Sequence, residues 1–277
     1  MKIAYSGIEG AFASIAARRI FPDEELISYG DFRSAYDSVE KGDCDYAVLP
    51  IENSYAGEVG QVTDLMFQGN LFINGVYTLN VVQNLLGVKG SEVSEIKKVI
   101  SHPQALDQCS DYLQSHGIKT EEAVNTALAA KHVSELNDKT VAAIASEETA
   151  LLYNLEILER GINGYQDNST RFAILSKKED VQINTGSDNK TFILMFAVKN
   201  EAGMLAKAID VIGRHGFSMN ALRSRHLKSL SWQYYFYAEI EGDPESDEIS
   251  RMLNEMSQYC VSLKQLGTTG ENSNELI

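Results

Sequence analysis

The chain has 277 residues, enough for two cores, and its 44% hydrophobic and 23% charged residues are the balance of an ordinary globular protein. Its 24 Lys and Arg against 39 Asp and Glu give a formal charge of −15, a field that repels nucleic acid and anionic membranes, so neither is an expected partner. Polar residues interrupt every apolar run before the ~20 residues a bilayer crossing needs, and Cys44, Cys109 and Cys260 lack disulfide or metal spacing. With MKIAYSG reading as strand and turn and not as an export signal, a cytoplasmic protein with reduced thiols is expected.

In chain order, the pattern predicts strands at Lys2–Tyr5, Leu26–Tyr29 and Tyr46–Leu49, with helices at Ala11–Phe21 and Phe32–Lys41 between them. Such βαβαβ alternation calls for a parallel sheet whose ligands bind beyond the carboxyl ends of the strands. After a strand at Leu71–Tyr77 comes a second α/β unit. It has strands at Val99–Ile100, Val141–Ala145 and Arg171–Leu175, a helix started by Ser101-His102-Pro103 with Ser101 as its cap, one capped by Asn125 or Thr126, and one capped by Ser146. The polar stretch 179–189 reads as a linker. Beyond it a strand (Thr191–Val198), helix (Met204–His215), strand (Met219–Arg225), strand (Tyr234–Ile240), helix (Glu245–Tyr259) and strand (Val261–Leu266) give the βαββαβ order of a ferredoxin-like α+β domain over 190–267. Residues 268–277 read as a disordered tail.

Three polar clusters fall where ligands are expected. Pro50-Ile51-Glu52-Asn53-Ser54-Tyr55-Ala56-Gly57 follows a strand, although a turn whose Asn and Ser bond their own backbone explains it equally well. Ser101-His102-Pro103-Gln104-Ala105-Leu106-Asp107-Gln108 turns a helix start, favourable to an anion, toward the crevice, yet Ser-x-Pro is also an ordinary helix start. In Asn168-Ser169-Thr170-Arg171-Phe172 the arginine can grip a carboxylate at two points, or simply pair with one of many acidic neighbours.

Taken together, PIENS, SHPQAL-xQC and TRF, followed by the βαββαβ unit, resemble the monofunctional prephenate dehydratases over essentially residues 1–267. Gly7-Ile8-Glu9-Gly10-Ala11-Phe12, Leu85-Leu86 and Ala142–Ser146 add to the likeness, while Ile8, Ala11, Asn80, Gln83 and Asn125 depart from the usual family residues. The resemblance implies a catalytic region over 1–178 with two lobes like a type-II periplasmic binding protein. One lobe covers about 1–75 with a return near 165–178, the other about 76–164, and the substrate lies between them. It assigns catalysis to Thr170, Asn53, Gln108, Ser101 and Glu52, with Arg171, Phe172, Ser54, Asn125 and Thr126 against the substrate.

The C-terminal unit resembles an ACT module. Gly203-Met204-Leu205-Ala206-Lys207-Ala208 matches its effector loop, and Arg223-Ser224-Arg225-His226 stands where ESRP is usual. This implies L-phenylalanine as allosteric effector at Asn200, Ala202, Gly203, Met204, Leu205, Arg223 and Ser224, in a homodimer or homotetramer. The implied reaction removes CO₂ and water from prephenate to give phenylpyruvate, driven by aromaticity, with neither metal nor other cofactor. Thr170 is a positioned hydrogen-bond donor to the departing hydroxyl, and the cleft is expected to be a positive island made by Arg171 and the helix N-termini. Arogenate dehydratase requires the same elimination, and the sequence leaves that choice open. The intact TRF triplet weighs against a decarboxylase that retains the hydroxyl, and the two loops with Thr170 weigh against a non-catalytic amino-acid or carboxylate sensor.

Overall fold

The computed structural model describes residues 1–164, 168–179, 191–226, 234–269 and 271–273. The first half begins with β1 (Lys2–Ser6), α1 (Phe12–Ile20), β2 (Glu25–Tyr29), α2 (Phe32–Lys41) and β3 (Tyr46–Asn53). β4 (Gly57–Glu58), α3 (Gly60–Gln68) and β5 (Phe72–Asn80) follow. β1 lies between β2 and β3, parallel to both, as the βαβαβ alternation predicts. A second sheet collects β6 (Asn84–Gly87), β7 (Lys98–Ser101), β8 (Lys119–Glu122), β9 (Val141–Ala145) and β10 (Glu156–Glu159) in the order β10-β6-β9-β7-β8. Around it run α4 (Pro103–Gln108), α5 (Ser110–Ser115), α6 (Thr126–Leu136) and α7 (Glu147–Leu152). β11 (Ser169–Ser176) then returns to the first sheet, antiparallel between β3 and β5.

The C-terminal unit contains β12 (Thr191–Val198), α8 (Met204–Arg214), β13 (Met219–His226), β14 (Tyr234–Glu241), α9 (Asp247–Met256) and β15 (Cys260–Thr268). Its strand order β13-β14-β12-β15 is that of the split βαββαβ unit. One face, Phe192, Leu194, Phe196, Ala238 and Ile240, packs on α8 and α9. The alternate residues Ile193, Met195, Ala197, Tyr235 and Tyr237 point the other way, because successive strand residues face opposite sides. They share a core with Tyr36 and Val39 of α2 and Val62, Leu65 and Met66 of α3. The two regions are therefore joined through apolar packing.

They are also joined through the backbone. β15 meets β5 in parallel at Gly267–Ile73, and β16 (Glu271–Ser273) pairs with the same strand. Gly267 permits this approach: its φ is +120°, and a Cβ there would stand 2.2 Å from the Ile73 carbonyl oxygen.

Several expectations are corrected. The strand expected to stop at Leu49 continues to Asn53, so Glu52 and Asn53 are strand residues and the loop begins at Ser54. Pro50 made that reach hard to see; the ladder accommodates it by a register shift in which Ile51 is skipped between the Arg171–Glu52 and Phe172–Pro50 pairs. Residues 76–80 belong to the first sheet, so the lobe boundary lies beyond Asn80. His102, not Ser101, caps α4, with its Nδ1 accepting from the Gln104 N–H, because Ser101 is still paired in β7. Of the supposed tail, Thr268 and Thr269 are buried and 271–273 form a strand. Of the linker expected over 179–189, all but Glu179 lies outside the described residues. Among the described residues no helix is long and apolar enough to cross a membrane.

Candidate active site

Sheet register brings the first and third motifs together. β3 and β11 run antiparallel with Thr170 opposite Asn53 and Arg171 opposite Glu52. Within each pair the side chains share a face, and successive pairs alternate faces. Asn53 and Thr170 thus form one site, while Glu52 and Arg171 form another on the opposite side of the sheet.

Asn53 is buried, and its hydrogen bonds fix its orientation. Its Oδ1 accepts from the backbone N–H groups of Tyr55 (3.1 Å) and Ala56 (2.9 Å) and from Gln104 Nε2 (3.1 Å). Its Nδ2 must therefore face the other way, and it donates to Asn168 Oδ1, the Ser169 carbonyl and Thr170 Oγ1, each at 3.0 Å. Thr170 accepts this bond, so its own O–H is turned to donate elsewhere. Asn168 Nδ2 continues the chain to Gln108 Oε1 at 3.0 Å. Gln104 and Gln108 lie four apart on α4, which sets them on one helix face. The second motif thereby meets the other two.

The same contacts clasp the lobes. On one side Tyr55 donates to Asp107 at 2.5 Å, beside the Gln104–Asn53 bond. On the other, Thr149 Oγ1 donates to the Gly10 carbonyl (2.8 Å) and Tyr153 to that of Glu9 (3.0 Å). A groove of ≈ 620 Å³ opens at the junction beside Leu79, the strand partner of Thr170, and Asn80, the partner of Ser169.

The remaining site expectations meet different surroundings. Ser101 is fully buried and donates to the Ile144 carbonyl at 2.7 Å. Ser54 Oγ accepts from the Ser169 N–H. Asn125 caps α6 through the Leu128 N–H, with Thr126 buried behind it. Phe172 is 1% exposed and packs with Ile3, Ile15, Val48 and Ile174 in the core beneath α1, a correction to its expected place against substrate. Gln104, Asn168 and Gln83 join the network although sequence reasoning did not name them as site residues. Gln104 and Asn168 lie inside the second and third polar clusters, and their polarity is the signal the sequence offers.

Arg171 requires a further correction. Its guanidinium binds Glu52 at 3.0 Å and Glu239 of β14 at 2.8 and 3.2 Å. Arg223 of β13 joins the same carboxylates, at 2.5 Å from Glu52 and 3.8 Å from Glu239, with its guanidinium carbon 5.3 Å from the Tyr237 ring centre. Burial alone would weaken protonation of Arg171, but hydrogen bonding and attraction to Glu239 outweigh it and the guanidinium is held charged. For Glu239, burial favours the neutral acid, yet the Arg171 bond and charge win and its carboxyl lies below the usual range. Two cations on two anions leave no net positive island at Arg171. Beside them Arg225 binds Asp64 at 3.0 Å, and Asp64 accepts from Tyr235 at 2.7 Å.

In the C-terminal unit a cavity of ≈ 190 Å³ is lined by Asn200, Gly203, Met204, Leu205, Tyr234 and Phe236, among others. Gly203 takes a φ of +82° at the start of α8. Ala202 is exposed and does not line the cavity; neither does Arg223, which points to Glu52, nor the exposed Ser224. That separates the expected effector residues into two groups.

Comparison with known proteins agrees with the motifs. The family described as prephenate dehydratase matches residues 3–180. A prephenate dehydratase of Lactococcus lactis is 33% identical over 271 residues, covering 96% of each chain. Among solved structures, GqqA, described as a novel type of quorum quenching acylase, is 30% identical with a TM-score of 0.86 over 97% of both chains. A prephenate dehydratase of Arthrobacter aurescens in complex with L-Phe shares the fold, with a TM-score of 0.87 at 22% identity, covering 97% of this chain and 89% of that one.

Proposed function

The chain belongs to the prephenate dehydratase family, a hydro-lyase of phenylalanine biosynthesis, and on that footing we propose how its own residues carry the reaction. Prephenate gives up its ring carboxylate as CO₂ and its hydroxyl, which takes up one proton from solvent to leave as water, and the ring becomes aromatic. The protein has to hold the substrate between the lobes, supply a hydrogen bond to the leaving oxygen, and keep water from the departing carboxylate.

Thr170 is the donor to that oxygen. The observation that carries this reading is the Asn53 Nδ2 bond to Thr170 Oγ1, in which the hydroxyl oxygen accepts and its own hydrogen is left to donate. A hydroxyl does not titrate near neutral pH, so it acts by position and not as a free acid. Asn53 orients it, and Gln108 offers a neutral amide to developing negative charge. Glu52, held between Arg171 and Arg223, acts on the loop geometry and not on the proton.

L-Phenylalanine is the effector, bound in the cavity beside Gly203 and Leu205, and it lowers activity across a homodimer or homotetramer. The cavity's pairing of Leu205, Tyr234 and Phe236 with Lys199, Asn200 and Glu201 supports this, as does the ligand of the Arthrobacter relative. The decisive experiment offers prephenate and arogenate separately and identifies the product, then repeats the assay with phenylalanine. Phenylpyruvate from prephenate is the expected result; turnover of arogenate alone, or of neither, would overturn the reading.

A further inference from the structure

Asn168, Gln108 and Gln83 form a run of buried amides whose polarity is set from one end. An amide's oxygen and nitrogen differ only in what they bond, and the Tyr55 and Ala56 backbone N–H groups can only donate. They fix Asn53 Oδ1, hence Asn53 Nδ2 faces Asn168 Oδ1, and Asn168 Nδ2 faces Gln108 Oε1. The same oxygen also accepts from Gln83 Nε2 at 3.4 Å. Gln108 is thus held by its oxygen from both lobes' connections, and among the described residues nothing accepts from its Nε2.

Gln83 bears the cost of this arrangement. It is 4% exposed, its N–H donates to Asn163 Oδ1, and its carbonyl accepts from the Ile162 N–H, so its backbone is anchored to the second crossing between the lobes. With Nε2 turned to Gln108, its Oε1 is buried without a partner among the described residues. Turning the amide over would bring two carbonyl oxygens face to face. An orphaned acceptor of this kind is costly and calls for an explanation, of which a functional role is one.

We propose that Gln83 is a positioning residue of the dehydratase: with Asn168 it clamps the Gln108 oxygen so that the Gln108 N–H groups are presented to the substrate as donors. This deepens the proposed function and rests on it. Gln83 itself touches no substrate, and its effect passes through Gln108.

Gln83→Glu tests the claim with almost no change of shape. Its carboxylate would face Gln108 Oε1 and favour the reversed Gln108 amide, whereas the protonated acid can donate as glutamine does. Relative to wild type at each pH, kcat should fall about 100-fold near pH 8, the scale for losing one preorganised donor, with KM little changed. It should recover at least about 10-fold near pH 5.5, because burial raises a carboxyl's pKa. In a Gln108→Met background the same change should alter kcat less than about 3-fold, since the two residues act as one unit. A folded Gln83→Glu enzyme with wild-type turnover near pH 8, or a loss that is independent of pH and persists without Gln108, overturns the proposal.

Gln83→Met guards against misfolding: it removes the donor and the orphaned acceptor together, and should fold while losing less activity than Gln83→Glu. Should wild type convert neither prephenate nor arogenate, the functional reading falls by itself. The amide polarity is then read from thermal melts of Gln83→Glu against wild type, whose deficit must shrink on acidification; a constant deficit overturns it.

Discussion

Arg223 Nη2 lies 2.5 Å from Glu52 Oε1, so a charge from the edge strand of the C-terminal domain ends one residue before the asparagine that orients Thr170. Relatives with an ESRP motif have a carboxylate at the first of its positions, which could not make this bond. We expect Arg223→Met to leave phenylalanine affinity within about threefold while changing the extent of inhibition, because affinity and coupling are separate free energies. Calorimetric titration alongside rates measures both. An affinity loss with coupling intact would put Arg223 in the effector pocket. A cycle with Glu52→Gln should return an interaction of about 1 kcal/mol for this partly exposed pair.

Thr170→Val should lower turnover at least ~10²-fold with little change in thermal stability, the usual scale for a positioned donor. Steady-state rates and a melt on one preparation suffice. Near-normal turnover would remove Thr170 from the reaction.

Arg171 offers a contest between two roles. Its side chain is 17% exposed and Glu239 only 8%, so Arg171→Met takes the main partner from a buried carboxylate, and with Tyr237 and Arg223 still on Glu239 the cost should fall below the ~3–5 kcal/mol of a fully stranded charge. Arg171→Lys keeps the charge but not the planar two-point grip, and should cost less. Denaturant curves together with binding of a substrate analogue discriminate: weakened binding at unchanged stability would restore Arg171 to substrate recognition.

His215 predicts a pH dependence in the C-terminal domain. Its ring lies 3.0 Å from Glu255 and 2.5 Å from Glu248, and these hydrogen bonds raise its pKa above the ordinary 6.5. A group whose folded pKa is raised stabilises fully below its unfolded value and loses that contribution as pH rises through the folded one. The melting-temperature gap between wild type and His215→Gln should therefore be larger near pH 6 than near pH 8. An equal gap at both would mean that protonation adds nothing.

The periodic segments were legible from sequence because burial and pattern coincide: β9 is all buried Val, Ala and Ile, and α8 carries its apolar stripe on one face. β8, Lys-Thr-Glu-Glu, is exposed along its whole length and offered no apolar signal. Motif order brought Asn53, Gln108 and Thr170 to notice, and the structure joins Asn53 to Thr170 directly and to Gln108 through Asn168. Arg171 turns away from Thr170 because adjacent strand residues face opposite ways, whereas Phe172 shares the face of Thr170 but lies two residues further along it, in the core beneath α1, so a triplet read as one unit divides among three environments.

Gly267 has a thermodynamic consequence as well as a steric one. By letting β15 lie against β5, it makes the C-terminal and catalytic strands parts of one hydrogen-bonded sheet with a common core, so neither is expected to melt alone. Anything that binds the folded C-terminal domain and not the unfolded chain then protects the catalytic residues from unfolding, by about 2.7 kcal/mol at a hundred times its dissociation constant. An inhibitor acting through this domain would be at once a brake on the enzyme and a preservative of it: cells rich in the end product would hold a larger, quieter stock of folded protein, released to work as the ligand is consumed.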